Sequence, residues 1–369
     1  MDDETKHPQN PYTLNLKNNN LIILKALKQA SHTLQKNHDT SSPSIKALLD
    51  LPNEPNSILS NDPYLSTLSK HLTHLKTLIH TSSNTYSSNH GIKSFLSRRV
   101  NSHEIQRVAR EIEVEIQAWI DREFIESLER TLFVKVDGLD VKDDVLVDLI
   151  EQFEERIAKG FDRDLQDLIL RSKVFYQLET ILCDGKYTNG VRECCAFAIA
   201  ELIKFNKDVF VGLVLIGDTM SSLVSLASVR SINILSKLIN YIKSPAIDEI
   251  VTNGEIPKIV SFLNSDDVQI RAMAMECVLE IGYFGRKEAI DAMLQEGLVK
   301  KLVDLQRSES KVFVRCVVRF AIQLEVGEGL RKREKRELKQ EVLKRVREAC
   351  VSDAEAATIV AEVLWGASP

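Results

Sequence analysis

Apolar residues recur at intervals of three and four along most of the chain, which is the spacing of one face of an α-helix. Residues 64–81 carry leucines at this spacing, and the stretches 105–128 and 145–157 continue it with isoleucine, valine and phenylalanine. The 14 glycines and 9 prolines among 369 residues are too few for a protein built from many short strands and turns. The pattern therefore predicts an all-α fold.

Residues 254–305 contain one pattern that begins twice. Gly254 is followed by Ile-Pro, an apolar stretch to Leu263 and the polar pair Asp266-Asp267, and a similar pattern begins at Gly297, which is 43 residues later. A helical unit of this period cannot bury its apolar face alone, so neighbouring copies must stack into a solenoid. The last helices of four such units are predicted at residues 191–205, 229–241, 268–283 and 312–324. Three glycines are expected to end helices in a left-handed backbone conformation, namely Gly217, Gly254 and Gly297.

An arginine stands near the start of each predicted last helix. A cation in the first turn of a helix is disfavoured by the helix dipole, so the recurrence indicates a tertiary partner. We expect these side chains to donate hydrogen bonds to carbonyls or carboxylates between repeats, and not to contact a ligand. The four residues are Arg192, Arg230, Arg271 and Arg315.

The two ends of the chain differ from the repeats. Residues 1–63 are rich in Ser, Thr and Asn and predict short helices, one of them at residues 44–49, with polar connections. Residues 64–170 predict a helical domain, in which one helix is expected to start near Ser102 and others to span residues 143–157 and 164–182. The repeats are expected over residues 171–330 and a basic helix with a capping helix over residues 331–369. In that last helix Ile359, Val360, Val363 and Trp365 are expected to dock on the exposed end of the solenoid. The basic run 331–336 is interpreted as the solvated face of a capping helix, with a nuclear import signal or a contact with an acidic partner as the alternatives.

Charge and cysteine usage restrict the function classes. The formal net charge is −5, and no aromatic residue is interleaved in the basic run to stack bases, so nucleic-acid binding is disfavoured. No apolar run approaches the ~20 residues that span a bilayer, and the acidic first residues lack the pattern of a secretory signal. The six cysteines lie in apolar helical contexts without a CxxC pair, as free thiols do in a reducing compartment. These features predict a cytoplasmic or nuclear location and leave the oligomeric state open.

The motifs of common enzymes are missing from the sequence. It contains no phosphate loop, no dinucleotide-binding glycine pattern and no GxSxG nucleophile. His71, His74 and His80 share a predicted helix, but no carboxylate lies between Asp62 and Glu104 to complete a zinc site. We therefore expect no enzymatic activity, no cofactor and no metal, and interpret these histidines as solvated.

Two stretches resemble a known repeat family. The stretch from Ala196 to Ile203 resembles the third helix of the armadillo repeat, and Gly254 to Leu263 with Asp266-Asp267 resembles its second helix and linker. The resemblance covers residues 171–330 and implies a right-handed α-solenoid of about four armadillo-like repeats, preceded by an N-terminal helical domain and closed by C-terminal capping helices. It also implies a non-enzymatic scaffold that binds other proteins.

The helical region before the repeats carries a second, weaker resemblance. Residues 64–182, which contain Trp119-Ile-Asp-Arg-Glu123, resemble the region that precedes the repeats in some plant U-box ubiquitin ligases. The U-box itself is missing, because no cysteine precedes Cys183. The alternative function is therefore an accessory or substrate-binding component of a ubiquitin-ligase pathway.

Armadillo proteins commonly bind extended peptides in a groove formed by the third helices, using an asparagine and a tryptophan from each repeat. This sequence departs from that pattern at every position, which disfavours a receptor for basic nuclear-import signals. Carboxylates there suit basic or N–H-rich surfaces, and the cations are expected to add local selectivity. The asparagine positions are occupied by Glu201, Lys237, Glu280 and Gln323, and the tryptophan positions by Phe197, Asn233, Glu276 and Arg319.

Overall fold

The computed structural model describes residues 24–35, 65–85, 92–138, 141–308 and 311–365. The predicted short helix at residues 44–49 and most of the predicted polar segment 1–63 lie outside these ranges. The described residues form α-helices and short 3₁₀ turns with no strand, which confirms the predicted all-α class. The chain divides into two compact units: Met1–Ser127 with Arg163–Arg171, and Leu128–Asp162 with Ser172–Pro369.

The described core of the first unit lies among three helices: α1 (24–35), α2 (Ser66–Thr85) and the first part of α3 (Ile92–Val136). Leucines from α1 and α2 pack against isoleucine, valine and tryptophan side chains of α3. The buried Ser31 hydroxyl donates to the Ala109 carbonyl over 2.6 Å. The predicted start of α3 near Ser102 is wrong, because the helix begins at Ile92. A further helix, α5 (Arg163–Arg171), belongs to this unit and buries Leu165 and Ile169.

The second unit begins its solenoid with α4 (Asp143–Ala158), α6 (Val174–Cys183) and α7 (Asn189–Phe205). The sequence predicted one helix from 164 to 182, but the chain breaks between α5 and α6. Here the Lys173 backbone N–H donates to the Glu129 carboxylate over 3.1 Å. The side chain that satisfies this N–H lies 44 residues away in the chain, so local propensity could not reveal the break.

Three complete three-helix repeats follow α7. Their bounds are α8 (Lys207–Ile216), α9 (Thr219–Leu226) and α10 (Val229–Ile242); α11 (Ser244–Thr252), α12 (Ile256–Ser261) and α13 (Val268–Phe284); and α14 (Lys287–Gln295), α15 (Leu298–Arg307) and α16 (Cys316–Val326). The last helices contact one another in series, α7 with α10, α10 with α13 and α13 with α16. This serial stacking is the α-solenoid that the repeated pattern predicted.

The turns between the first and second helices of the three repeats use glycine in two different ways. Gly254 and Gly297 have φ values of +68° and +72°, the left-handed conformation that was predicted. Gly217 does not, because its φ is −87°. A Cβ atom on Gly217 would lie 2.0 Å from the Glu179 carboxylate. Glycine is therefore needed here because the Glu179 side chain approaches closely, and not because of the backbone conformation.

The recurring arginines bind carbonyls and carboxylates as predicted, but the expectation that these bonds join neighbouring repeats is wrong for two of them. Arg192 donates to the Leu182 carbonyl over 2.8 Å, and Arg271 donates to the Ser265 carbonyl over 2.8 Å. Both bonds stay inside one repeat, whereas Arg230 reaches Glu193 of the preceding repeat at 3.7 Å. Arg315 has a left-handed φ of 55° just before α16 begins, so the fourth last helix starts at Cys316 and not at residue 312.

Two helices follow the last repeat, α17 (Lys332–Ala349) and α18 (Asp353–Trp365). The basic run is helical from Lys332, and α17 packs on α15 and α16 through a buried stripe. Arg307 of α15 holds α18 through two bonds of 2.7 and 2.8 Å to Glu355. The expected docking of Trp365 is wrong: this residue is 85% exposed, while Ile359 and Val363 are buried. The buried stripe of α17 consists of Leu338, Val342, Leu343 and Val346.

Candidate functional site

A cleft of about 620 Å³ lies on the last helices of the final two repeats, α13 and α16. Four of the eight residues predicted for the groove line it, and they are Glu276, Glu280, Arg319 and Gln323. The sequence placed these residues on one surface because they occupy two equivalent positions in consecutive repeats, Glu280 and Gln323 at one and Glu276 and Arg319 at the other. Six further residues complete the lining: Asn240, Leu279, Tyr283, Phe284, Ile322 and Glu328.

Glu276 and Arg319 form an ion pair across the cleft. The Arg319 Nη2 atom donates to the Glu276 carboxylate over 2.9 Å, which joins α16 to α13. The Arg319 side chain is 38% exposed and the Glu276 side chain 48%, so water screens the pair and its contribution to stability is small. Its main effect is to cancel one negative charge at the cleft wall.

Glu280 lies one turn after Glu276 and has a different environment. The Asn240 side-chain amide donates to both of its carboxylate oxygens over 3.2 and 3.3 Å. Among the described residues no Lys, Arg or His pairs with it. Burial raises the pKa of Glu280, repulsion from Glu276 adds to the increase, and the Asn240 bond opposes it. Glu280 is thus a half-buried carboxylate held by a neutral amide.

The far end of the cleft is closed by a loop contact that the sequence did not reveal. Glu328 follows α16 and pairs with Lys243, 85 residues earlier in the chain, over 3.0 Å. The Lys243 ammonium also lies 5.3 Å from the centre of the Phe284 ring. The backbone N–H groups of Glu328 and Gly329 both donate to the Tyr283 carbonyl, over 2.7 and 3.1 Å, and fix the loop against the end of α13.

The other four predicted residues lie outside this cleft, on α7 and α10. The Lys237 ammonium lies 5.0 Å from the centre of the Phe197 ring. Glu201 pairs with Lys204 over 3.2 Å, and its side chain is only 13% exposed. Asn233 is partly buried. These residues belong to the same series of last helices, but Phe197, Lys237 and Glu201 already have contacts within the chain.

Glu154 on α4 is a charged residue outside the predicted groove. Burial raises its pKa to about 7, and repulsion from Glu151 and Glu201 adds to the shift. Its carboxylate lies 3.9 Å from the Cys194 Sγ atom on α7. The signal that could have found it is the acidic run in α4, but which of those carboxylates faces α7 depends on how the two helices pack.

The thiols of the second unit are unsuited to nucleophilic chemistry. Burial raises the pKa of Cys194 and of Cys277 to about 12, and that of Cys316 to about 11, so all three stay protonated at neutral pH. Within the described residues, no group of three His, Cys, Asp or Glu side chains is placed to hold a metal ion. Over the same residues no single helix is long and apolar enough to cross a membrane, although the bent pair α8 and α9 reaches that length and composition together.

No protein-family model matches the chain, and no curated protein matches it. Among solved structures, one designed armadillo repeat protein is 17% identical with a TM-score of 0.46, and the match covers 65% of this chain and 98% of the designed one. A second, in complex with the peptide (KR)4, is 18% identical with a TM-score of 0.47 and coverages of 64% and 98%. An engineered protein is 16% identical, with a TM-score of 0.47 and coverages of 93% and 87%. The solenoid is assigned from the helix contacts of this chain. Similarity at this distance adds no argument about what the chain binds.

Proposed function

We propose that this protein is a non-enzymatic interaction scaffold whose cleft on α13 and α16 binds a cationic segment of a partner protein. The observation that carries the proposal is Glu280, a half-buried carboxylate without a cation among the described residues. A partially desolvated charge is costly, and an incoming ammonium or guanidinium group offsets that cost with a charge-assisted hydrogen bond.

The walls of the cleft fit the rest of such a side chain. Tyr283, which is partly exposed, offers aromatic surface for the methylene groups of Lys or Arg and for a cation–π contact. Gln323 offers both a donor and an acceptor to the backbone of an extended segment. The Asn240 amide keeps the Glu280 carboxylate in place before the partner arrives, which reduces the ordering cost of binding.

We further propose residues 171–330 as the binding module and residues 331–369 as its cap, acting in the cytoplasm or nucleus. The buried free thiols support a reducing location. The described helices of the first unit add nothing that favours the accessory role in a ubiquitin-ligase pathway. The helical state of the basic run from Lys332 supports its interpretation as a capping helix over that of an extended import signal.

The test measures binding of a fluorescein-labelled octapeptide of alternating Lys and Arg to the full chain by fluorescence anisotropy. Replacing Glu280 with Gln keeps the shape of the side chain and removes its charge, so we expect affinity to fall about tenfold. Glu288→Gln is the matched control, because this exposed carboxylate on α14 does not line the cleft.

The proposal requires the two variants to differ. An equal loss in Glu280→Gln and Glu288→Gln would mean that the peptide responds only to net charge and that the cleft is not its site. No measurable binding of the peptide to the unmodified chain would also overturn it.

A further inference from the structure

Lys237 is the counterpart of Glu280, because it is an exposed cation on α10 without a carboxylate partner among the described residues. Its ammonium group lies over the Phe197 ring, which attracts the charge but accepts no ordinary hydrogen bond from it. Glu201, one turn after Phe197, pairs with Lys204 instead. The three ammonium donors of Lys237 are therefore available to an anion.

The two unpaired charges face different neighbours. Lys237 leans towards α7, where it contacts Phe197, whereas Glu280 lies at the contact of α13 with Asn240 of α10. The helices that carry them, α10 and α13, pack against each other, and the axes of packed helices lie roughly 8–10 Å apart. An extended chain advances about 3.3 Å per residue, so a bound segment covers this distance in about three residues.

We infer that the segment bound by this protein carries an acidic residue three positions from the basic residue that enters the cleft, and that Lys237 selects it. The inference rests on the proposed function and specifies its partner. Two other carboxylates of the groove already have cationic partners among the described residues, since Glu276 is paired with Arg319 and Glu328 with Lys243. A run of basic residues alone would bring a second cation close to Lys237, which costs affinity through like-charge repulsion.

The experiment uses four labelled dodecapeptides built on Gly and Ser, measured with the full chain by microscale thermophoresis. One carries a single Arg, and three carry one Arg and one Glu with identical composition: Glu three positions before Arg, three positions after it, or adjacent to it. We expect one of the two peptides with a spacing of three to bind about fivefold more tightly than the adjacent one, the scale of one partly exposed ion pair. Equal affinities for all three would overturn the inference.

Variants then assign the preference to Lys237. Lys237→Gln should remove the advantage of the peptide with a spacing of three and leave the affinity for the peptide with Arg alone unchanged, whereas Lys300→Gln, an exposed cation on α15, should change neither. If Glu280→Gln weakens binding of every Arg peptide but Lys237→Gln leaves the preference intact, the inference fails while the proposed function stands. If Glu280→Gln changes nothing, both fail. If none of these peptides binds while the Lys–Arg octapeptide does, the inference fails and the proposed function stands.

Discussion

Arg319 occupies with its own guanidinium group the position that a ligand cation could take on Glu276. The Nη2–Oε1 distance is 2.9 Å, and the pair joins the last helices of two consecutive repeats. Part of the negative charge of the cleft is thereby neutralised before any partner binds. Glu280, one turn further along α13, keeps its charge uncompensated by any cation among the described residues.

Removing Arg319 should therefore strengthen cation binding. We expect Arg319→Gln to raise the affinity for the Lys–Arg octapeptide about fivefold in fluorescence anisotropy, and to change the free energy of unfolding in urea by less than about 0.5 kcal/mol. The control is Arg333→Gln, because Arg333 is 91% exposed and pairs within its own helix with Glu337. Weaker peptide binding by Arg319→Gln would show that this side chain itself contacts the ligand.

Glu154 predicts a pH dependence of stability. Its pKa is raised to about 7 from a usual value of 4.5, so between these two values the unfolded chain loses a proton that the folded chain keeps. The resulting destabilisation is absent below pH 4.5 and fully developed above pH 7. Because the side chain is partly exposed, Glu154→Gln should stabilise the protein by about 1 kcal/mol at pH 8 and by almost nothing at pH 4.

Urea unfolding at the two pH values measures this difference. Glu155→Gln is the control, since Glu155 is the adjacent, exposed carboxylate of the same helix. The same gain at both pH values would indicate a packing effect, and would contradict the assignment of the shift to desolvation and to Glu151 and Glu201.

Gly329 fixes the loop that carries Glu328 into the cleft. A Cβ atom at this position would lie 2.2 Å from the Gly285 carbonyl oxygen and 2.4 Å from that of Phe284, both of them backbone atoms. We expect Gly329→Ala to cost about 2 kcal/mol in thermal or urea unfolding, as overpacked sites do.

A second glycine provides the comparison. Gly212→Ala, in the exposed part of α8 with no atom within 4 Å of its Cβ, should be neutral or stabilising by up to about 1 kcal/mol. If Gly329→Ala is as stable as the unmodified chain, the backbone at the end of α13 shifts to accept the Cβ atom, and the prediction is wrong.

Arg271 supports the contact between two repeats. It donates to the Ser265 carbonyl over 2.8 Å, and its guanidinium carbon lies 5.8 Å from the centre of the Phe313 ring in the following repeat. Arg271→Ala should lower the free energy of unfolding by about 1–2 kcal/mol, since it leaves a part-buried carbonyl without its donor. Arg286→Ala, which removes an exposed cation paired with Asp248 at 3.3 Å, should cost less than about 0.5 kcal/mol by the same assay. Equal losses of unfolding free energy in the two variants would contradict the conclusion that Arg271 supports the contact between repeats.

The sequence by itself determined the helical class, the repeated units and the positions of Glu276, Glu280, Arg319 and Gln323 on one surface. These properties follow from the spacing of apolar residues, because a helix places residues three and four apart on the same face and each repeat has nearly the same length. The left-handed conformations of Gly254 and Gly297 were also predictable from the local sequence, because glycine lacks a Cβ atom and commonly ends helices in this conformation.

Only the tertiary structure decided which of these groups are paired. Asn240 meets Glu280 across 40 residues and Lys243 meets Glu328 across 85, so no local pattern identifies these partners. The exposure of Trp365 likewise depends on where α18 ends against its neighbours, and the pKa of Glu154 depends on the packing of α4 on α7. Helix faces are set by spacing along the chain, whereas the charge left uncompensated in a cleft is set by which faces meet.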